Sequence, residues 1–122
     1  MPKHNQMYGK TGESLAVDHL SKQGYRILER NYRTKRGEID IIARQGGSIV
    51  FIEVKTRRSE CFASAKYALT AQKQRKISMV ALAYLKSKGQ MNRRARFDVV
   101  TVIDPMGSPK IDVIANAFEL AY

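Results

Sequence analysis

The spacing of apolar residues divides the chain into one helical segment, three extended ones, a second helix and a further strand. Between Gly12 and Gln23, Leu15, Ala16, His19 and Leu20 recur at helical intervals. Gly24 supplies a stop, and Thr11 or Gly12 a cap at the start. Tyr25 to Tyr32 reads as a strand, with Tyr25, Ile27 and Glu29 on one side and Arg26, Leu28 and Arg30 on the other. Asn31 to Gly37, carrying Arg33, Lys35 and Arg36, reads as an exposed basic loop. Two stronger strands follow, Glu38 to Arg44 and Ser48 to Thr56, joined by the tight turn signal Gln45-Gly46-Gly47. They are expected to form an antiparallel hairpin. The unbroken run Ile49-Val50-Phe51-Ile52 predicts a strand covered on both faces.

The stretch from Arg57 to Ala71 lacks periodicity and is expected to be a loop with a short helix. Gln72 to Lys88 is a helix whose apolar stripe is Ile77, Val80, Ala81, Tyr84 and Leu85, ended by Gly89. Phe97 to Ile103 is a strand and Lys110 to Ile114 a short one; Asn116 to Leu120 is expected to be a terminal turn of helix. The order is thus αβββαβ with a small C-terminal addition. It predicts an α/β domain with a mixed central sheet flanked by helices. The 122 residues suit a single domain, with Met1 to Tyr8 expected to be flexible.

Charge sharpens this picture. Lys and Arg number 22 against 11 acidic residues, a net charge of +11. That excess points to a polyanionic partner, and by itself does not separate DNA from RNA. No apolar run approaches the roughly 18 residues needed to span a bilayer, and no apolar core follows the first basic residues, so neither a membrane protein nor a signal peptide is expected. One cysteine, Cys61, and two histidines, His4 and His19, give no basis for a disulfide or a zinc site. A cytoplasmic location is expected.

Strand alternation locates the candidate chemistry. Glu38, Asp40 and Ile42 fall on one face of the first hairpin strand, and Phe51, Glu53 and Lys55 on one face of the second. Pairing Ala43 or Arg44 with Ser48 or Ile49 brings Asp40 opposite Glu53. Two carboxylates so placed repel each other, and a hard divalent cation relieves the repulsion. Magnesium suits such a pair because it takes few protein oxygens and binds phosphate. Lys55 beside them can orient or deprotonate a water, or stabilise charge at phosphorus. From spacing alone, an ordinary surface ion pair accounts for the same three residues equally well.

The string Gly37-Glu38-Ile39-Asp40, followed by Glu53-Val54-Lys55 after a glycine turn, resembles the motif of the PD-(D/E)xK nuclease superfamily. That superfamily includes restriction endonucleases and Holliday junction resolvases. Four further segments are similar to the small bacterial YraN-type family: Gly9-Lys10-Thr11-Gly12-Glu13, the two hairpin strands, Lys73-Gln74-Arg75 and Arg96-Phe97-Asp98-Val99. This likeness runs roughly from Gly9 to Leu120. The resemblance implies a restriction-endonuclease-like core and an endonuclease hydrolysing DNA phosphodiesters with Mg2+ or Mn2+. Branched or nicked DNA would be the substrate. It implies Asp40, Glu53 and Glu13 as metal ligands, Lys55 as the catalytic lysine, and a homodimer by analogy with nucleases that cut two strands. An isoleucine, not a proline, precedes Asp40.

The basic residues Arg33, Lys35, Arg36, Arg57, Arg58, Lys73 and Arg75, with Arg93 to Arg96, would then track the phosphate backbone. Lys73 and Arg75 are ill placed for the helix dipole, which suits a phosphate contact or simple solvation alike. Glu38 reads as a solvated strand-edge charge and Asp98 as structural. Gly9 and Gly12 would let a helix N-terminus approach a phosphate. A non-catalytic nucleic-acid-binding protein on the same fold is the alternative function. An interaction protein whose charge serves solubility or an acidic partner is a third.

Overall fold

A computed structural model describes the backbone of residues 4–58 and 69–119, and the side chains of residues 11–58 and 69–119. Most of the predicted loop from Arg57 to Ala71, including Cys61, lies outside the described residues. The elements run α1 (His4–Lys22), β1 (Arg26–Thr34), β2 (Gly37–Gln45), β3 (Ser48–Arg57), α2 (Ala71–Ser87), β4 (Arg94–Ile103) and β5 (Lys110–Phe118). The five strands form one mixed sheet in chain order, antiparallel throughout except for the parallel pair β3–β4. Helix α2 makes the crossover that a parallel pair requires. The expected α/β class and mixed sheet are therefore present, consistent with a restriction-endonuclease-like core.

Each helix covers one face of the sheet. Ala16 and Leu20 of α1 pack with Ile41, Ala43, Val50, Ile52, Val100 and Val102. On the other face Ile77, Val80, Ala81, Tyr84 and Leu85 of α2 pack with Ile39, Ile42, Ile49, Phe51 and Phe97. Strand β3 is thus apolar on both sides, as its unbroken run requires. Both helices end alike. Gly24 (φ 90°) and Gly89 (φ 64°) take left-handed backbone, and the next residue's N–H returns to the helix. Tyr25 N donates to Leu20 O at 3.0 Å, and Gln90 N to Leu85 O at 2.8 Å. Only glycine adopts that turn without steric cost.

The structure departs from the sequence reading in four places. Helix α1 begins at His4, so residues from His4 to Tyr8 are helical and Thr11 and Gly12 lie inside the helix rather than capping it. Gly12 there is not a breaker. A Cβ at this position would collide with the Thr56 hydroxyl, so the missing side chain lets α1 close onto β3. Tertiary contact overrides the local cost of a mid-helix glycine.

The predicted loop from Asn31 to Gly37 is a hairpin: β1 continues to Thr34, which pairs with Gly37. Its turn lacks the usual glycine signal; instead the Thr34 hydroxyl accepts from Arg36 N at 3.1 Å. Strand β4 starts at Arg94, because its parallel pairing with β3 extends back to Ser48.

The C-terminal addition is a full fifth strand and not a short strand plus helical turn. Asn116 has a left-handed backbone (φ 55°), but its N–H is accepted by Asp98 Oδ1 at 2.9 Å. Phe118 then rejoins the ladder opposite Phe97, stacked at 4.6 Å between centroids. The asparagine marks a bulge in a strand. Among the described residues no helix is long and apolar enough to cross a membrane.

Candidate active site

Strands β2 and β3 pair from Gln45–Ser48 to Ile41–Ile52, and the ladder stops one step before Asp40 and Glu53. The two acids are therefore cross-strand neighbours, as the sequence predicted. The alternation of β2 changes at this point. Ile39 packs on the α2 side and Ile41 on the α1 side, so Asp40 does not follow a regular two-residue pleat. Its carboxylate instead serves the interrupted ladder: Oδ2 accepts from Val54 N at 2.8 Å. Side chain and backbone together fix Asp40 beside the end of β3.

Phe51 faces α2, and Glu53 and Lys55 follow it at two-residue intervals. Asp40 and Glu53 line an open cleft of about 430 Å³ between the hairpin and the start of α2, with Gly37, Glu38, Thr70, Lys73 and Lys76. Lys73 reaches across it, its Nζ 2.9 Å from Glu53 Oε1. The start of α2 is fixed by Thr70, whose hydroxyl accepts from Lys73 N at 3.1 Å.

Glu13 approaches from α1, carried there by the contact of Gly12 with Thr56 on β3. Asn31 bridges two acids: with its amide nitrogen turned toward them, it donates to Glu13 Oε1 and Glu38 Oε1, each at 3.1 Å. Glu38 also takes Arg33, with Nη2 to Oε2 at 2.9 Å. Glu38 is thus held by neighbours rather than merely solvated. Asn31 was not singled out in the sequence. Its left-handed backbone (φ 53°) is a conformation asparagine tolerates, but that tolerance gives no hint of a bridging role.

The electrostatics reflect crowding of like charges. Burial, then the charge of Glu53, push the Asp40 carboxyl up to about 7 from an ordinary 3.8, against the stabilising Val54 N–H. Glu13 is also pushed up, by burial and by Glu38 and Glu53, with Arg30 opposing. Lys55 is pushed down by burial first and by the positive charge of Lys73 second, with Glu53 opposing. Carboxylates that resist ionising beside an amine that resists protonation mark a frustrated cluster.

Among the described residues no three His, Cys, Asp or Glu side chains are arranged to hold a metal ion. Asp40 and Glu53 come together as a pair, while Glu13 stands beside them in company with Asn31 and Glu38. Of the basic residues, Lys35 and Arg36 occupy the turn leading to Gly37, and Arg57 and Arg58 lie at the end of β3. Lys73 and Arg75 belong to the first turns of α2. Of these six, Lys73 lines the cleft, together with Lys76, which the sequence reading did not select; Arg36 rests against Met79, its Nη1 3.5 Å from Sδ, and Arg33 is paired with Glu38.

Arg93 to Arg96 do not line the cleft. Arg94 pairs with Ser48, five residues up the strand from Glu53, or roughly 17 Å away at 3.3 Å per residue. Arg96 is committed to the fold. With Tyr25 it holds the fully buried Asp98, at 3.0 Å from Nε to Oδ1 and 2.9 Å from Tyr25 OH to Oδ2.

Residues 12–102 match the model of a family described as "Uncharacterised protein family UPF0102". The chain belongs to that family. A UPF0102 protein of Geobacter metallireducens is 50% identical over 122 residues, covering all of both chains. One from Geobacter sulfurreducens is 49% identical over 121 residues, covering 98% of this chain and 94% of its own. One from Syntrophus aciditrophicus is 51% identical over 115 residues, covering 93% and 90%. The YraN-type resemblance is borne out, and UPF0102 membership embraces every element from the middle of α1 to the end of β4, including the cleft.

Proposed function

We propose that this UPF0102 protein is a divalent-metal-dependent DNA endonuclease, acting on branched or nicked duplexes in the cytoplasm, within the PD-(D/E)xK superfamily. The observation that carries the reading is the cross-strand pair Asp40 and Glu53, with Lys55 two residues beyond Glu53 on β3, at a cleft that Lys73 and Lys76 also line. The donor set fits magnesium or manganese. Two carboxylates are what Mg2+ takes from a protein when phosphate and water complete its shell, and the reluctance of Asp40 to ionise is what a cation would relieve. Asp40, through the oxygen not engaged by Val54, and Glu53 would hold it, with Glu13 nearby. The bound cation would supply Lewis-acid polarisation of the phosphodiester and a more acidic water.

The chain's own groups do the rest. The downward shift of Lys55 favours the neutral amine, the form able to take a proton from water at Nζ. Lys35, Arg36, Arg57, Arg58, Lys73 and Arg75 hold phosphates along the cleft by charge, without reading bases. RNA offers the same phosphates, so preference for DNA is part of the test. A homodimer would set two such clefts on two strands.

The test is incubation with branched duplex, linear duplex and single-stranded RNA, with Mg2+ or Mn2+, beside Asp40→Ala. Cleavage of DNA by the native protein and none by the variant is expected. Salt-sensitive binding by both without cleavage would overturn the hydrolase. It would favour a non-catalytic nucleic-acid-binding protein, a reading supported by the lysine already seated on Glu53 and by the pairing of only two acids among the described residues.

A further inference from the structure

Lys73 stands where its charge is opposed twice. It lies in the first turn of α2, a turn without acidic residues, at the positive end of the helix dipole. It is also close enough to Lys55 to help depress that amine. What retains it is Glu53, at 2.9 Å. The carboxylate is largely enclosed, its side chain 12% exposed, whereas the lysine side chain is 46% exposed and long enough to move. The backbone beneath it is held by the Thr70 cap, and the half-exposed side chain is the part free to turn.

We infer that Lys73 is an exchangeable counter-ion: it neutralises Glu53 until a divalent cation takes its place, and then turns outward to bind a substrate phosphate. This rests on the metal-site reading above and adds to it a coupling between the two ligands. A cation on Glu53 removes the attraction that holds Lys73 and leaves both repulsions, so the ammonium is released toward the open cleft. A phosphate there meets a freed lysine beside a helix N-terminus, a favourable setting for an anion. Conversely, a phosphate that draws Lys73 away uncovers Glu53. Cation and phosphodiester therefore bind with positive, reciprocal cooperativity. Neither occupies the cleft readily alone, which restrains the cleft until substrate and metal are both present.

The test is Mn2+ affinity, read by calorimetry and by the electron-spin signal of the free ion, on the full chain without nucleic acid. Lys73→Met should tighten binding about two- to five-fold, in keeping with the worth of a half-exposed ion pair. Lys73→Arg should bind as the native protein does. Lys76→Met removes the same charge from the same cleft without touching Glu53, and should change affinity much less. In a Lys55→Met background, which keeps DNA intact, a short duplex should tighten Mn2+ binding while Lys73 is present and fail to do so in Lys73→Met. Thermal unfolding in chelator verifies that each variant folds. Equal Mn2+ affinity of native protein and Lys73→Met, or an equal gain from Lys76→Met, overturns the exchange while leaving an Asp40-dependent metal site intact. If native protein, Lys73→Met and Asp40→Ala all fail to bind Mn2+, the metal site itself falls and the exchange with it.

Discussion

Replacing Asp40 by asparagine should stabilise the protein above neutral pH in the absence of divalent cations. The asparagine oxygen can still accept from Val54 N, so the geometric role survives while the charge is removed. The folded-state value of Asp40 is about 7 against an ordinary 3.8, raised by burial and then by Glu53. At about 1.4 kcal/mol per pH unit between the two values, ionising Asp40 costs the folded state on the order of 4 kcal/mol. The Val54 N–H is already part of that balance, so the substitution should recover most of it, roughly 3–4 kcal/mol.

The sign follows from the direction of the shift. Below pH 3.8 the carboxyl is protonated in both states, and the two proteins should be equally stable. Between there and about 7 the native protein loses stability relative to the variant, and above 7 the whole difference is present. Urea titrations in chelator at pH 4, 6 and 8 measure it directly, and a thermal scan at pH 8 should show a gain on the order of 10 °C. Adding Mg2+ should raise the native protein toward the variant and leave the variant unmoved. A variant that is no more stable at pH 8, or whose difference from the native protein is the same at pH 4, would refute the account of a crowded, under-neutralised pair.

Two further outcomes concern the scaffold. Gly12→Val should destabilise by about 1–3 kcal/mol, because the new side chain meets the Thr56 hydroxyl; Thr56→Ala in the same chain should restore part of the loss, read by chemical denaturation. Asp98→Ala should cost about 3–5 kcal/mol, since it strips partners from Tyr25, Arg96 and Asn116 N in a buried setting. Urea unfolding checks this, with Asp98→Asn expected to fall between the two.

The parts of the fold legible in the sequence were those governed by periodicity. The stripe of α2, the double-sided run of β3 and the glycine stops each follow from one residue's burial or backbone, and each lies near its expected place. Asp40 and Glu53 were legible for the same reason, since the hairpin turn fixes their register. What escaped depended on contacts distant in sequence. Gly12 reads as a cap until Thr56 is set against it, 44 positions later by number. Asn116 reads as a helix start until Asp98 takes its N–H. The bridging of Glu13 and Glu38 by Asn31 joins three elements that no local pattern connects. The pairing of Lys73 with Glu53 was hidden likewise, although the misfit of a lysine with the helix dipole was visible and pointed to the right residue.

The two outermost strands carry irregularities of the same kind. Strand β1 accommodates an extra residue at Leu28 and a left-handed Asn31, and β5 sets Ala115, Asn116 and Ala117 against the single Asp98. Each interrupts the straight row of outward N–H and C=O groups that another molecule's strand would need as a template. Pairing of further copies side by side along these edges is thereby disfavoured.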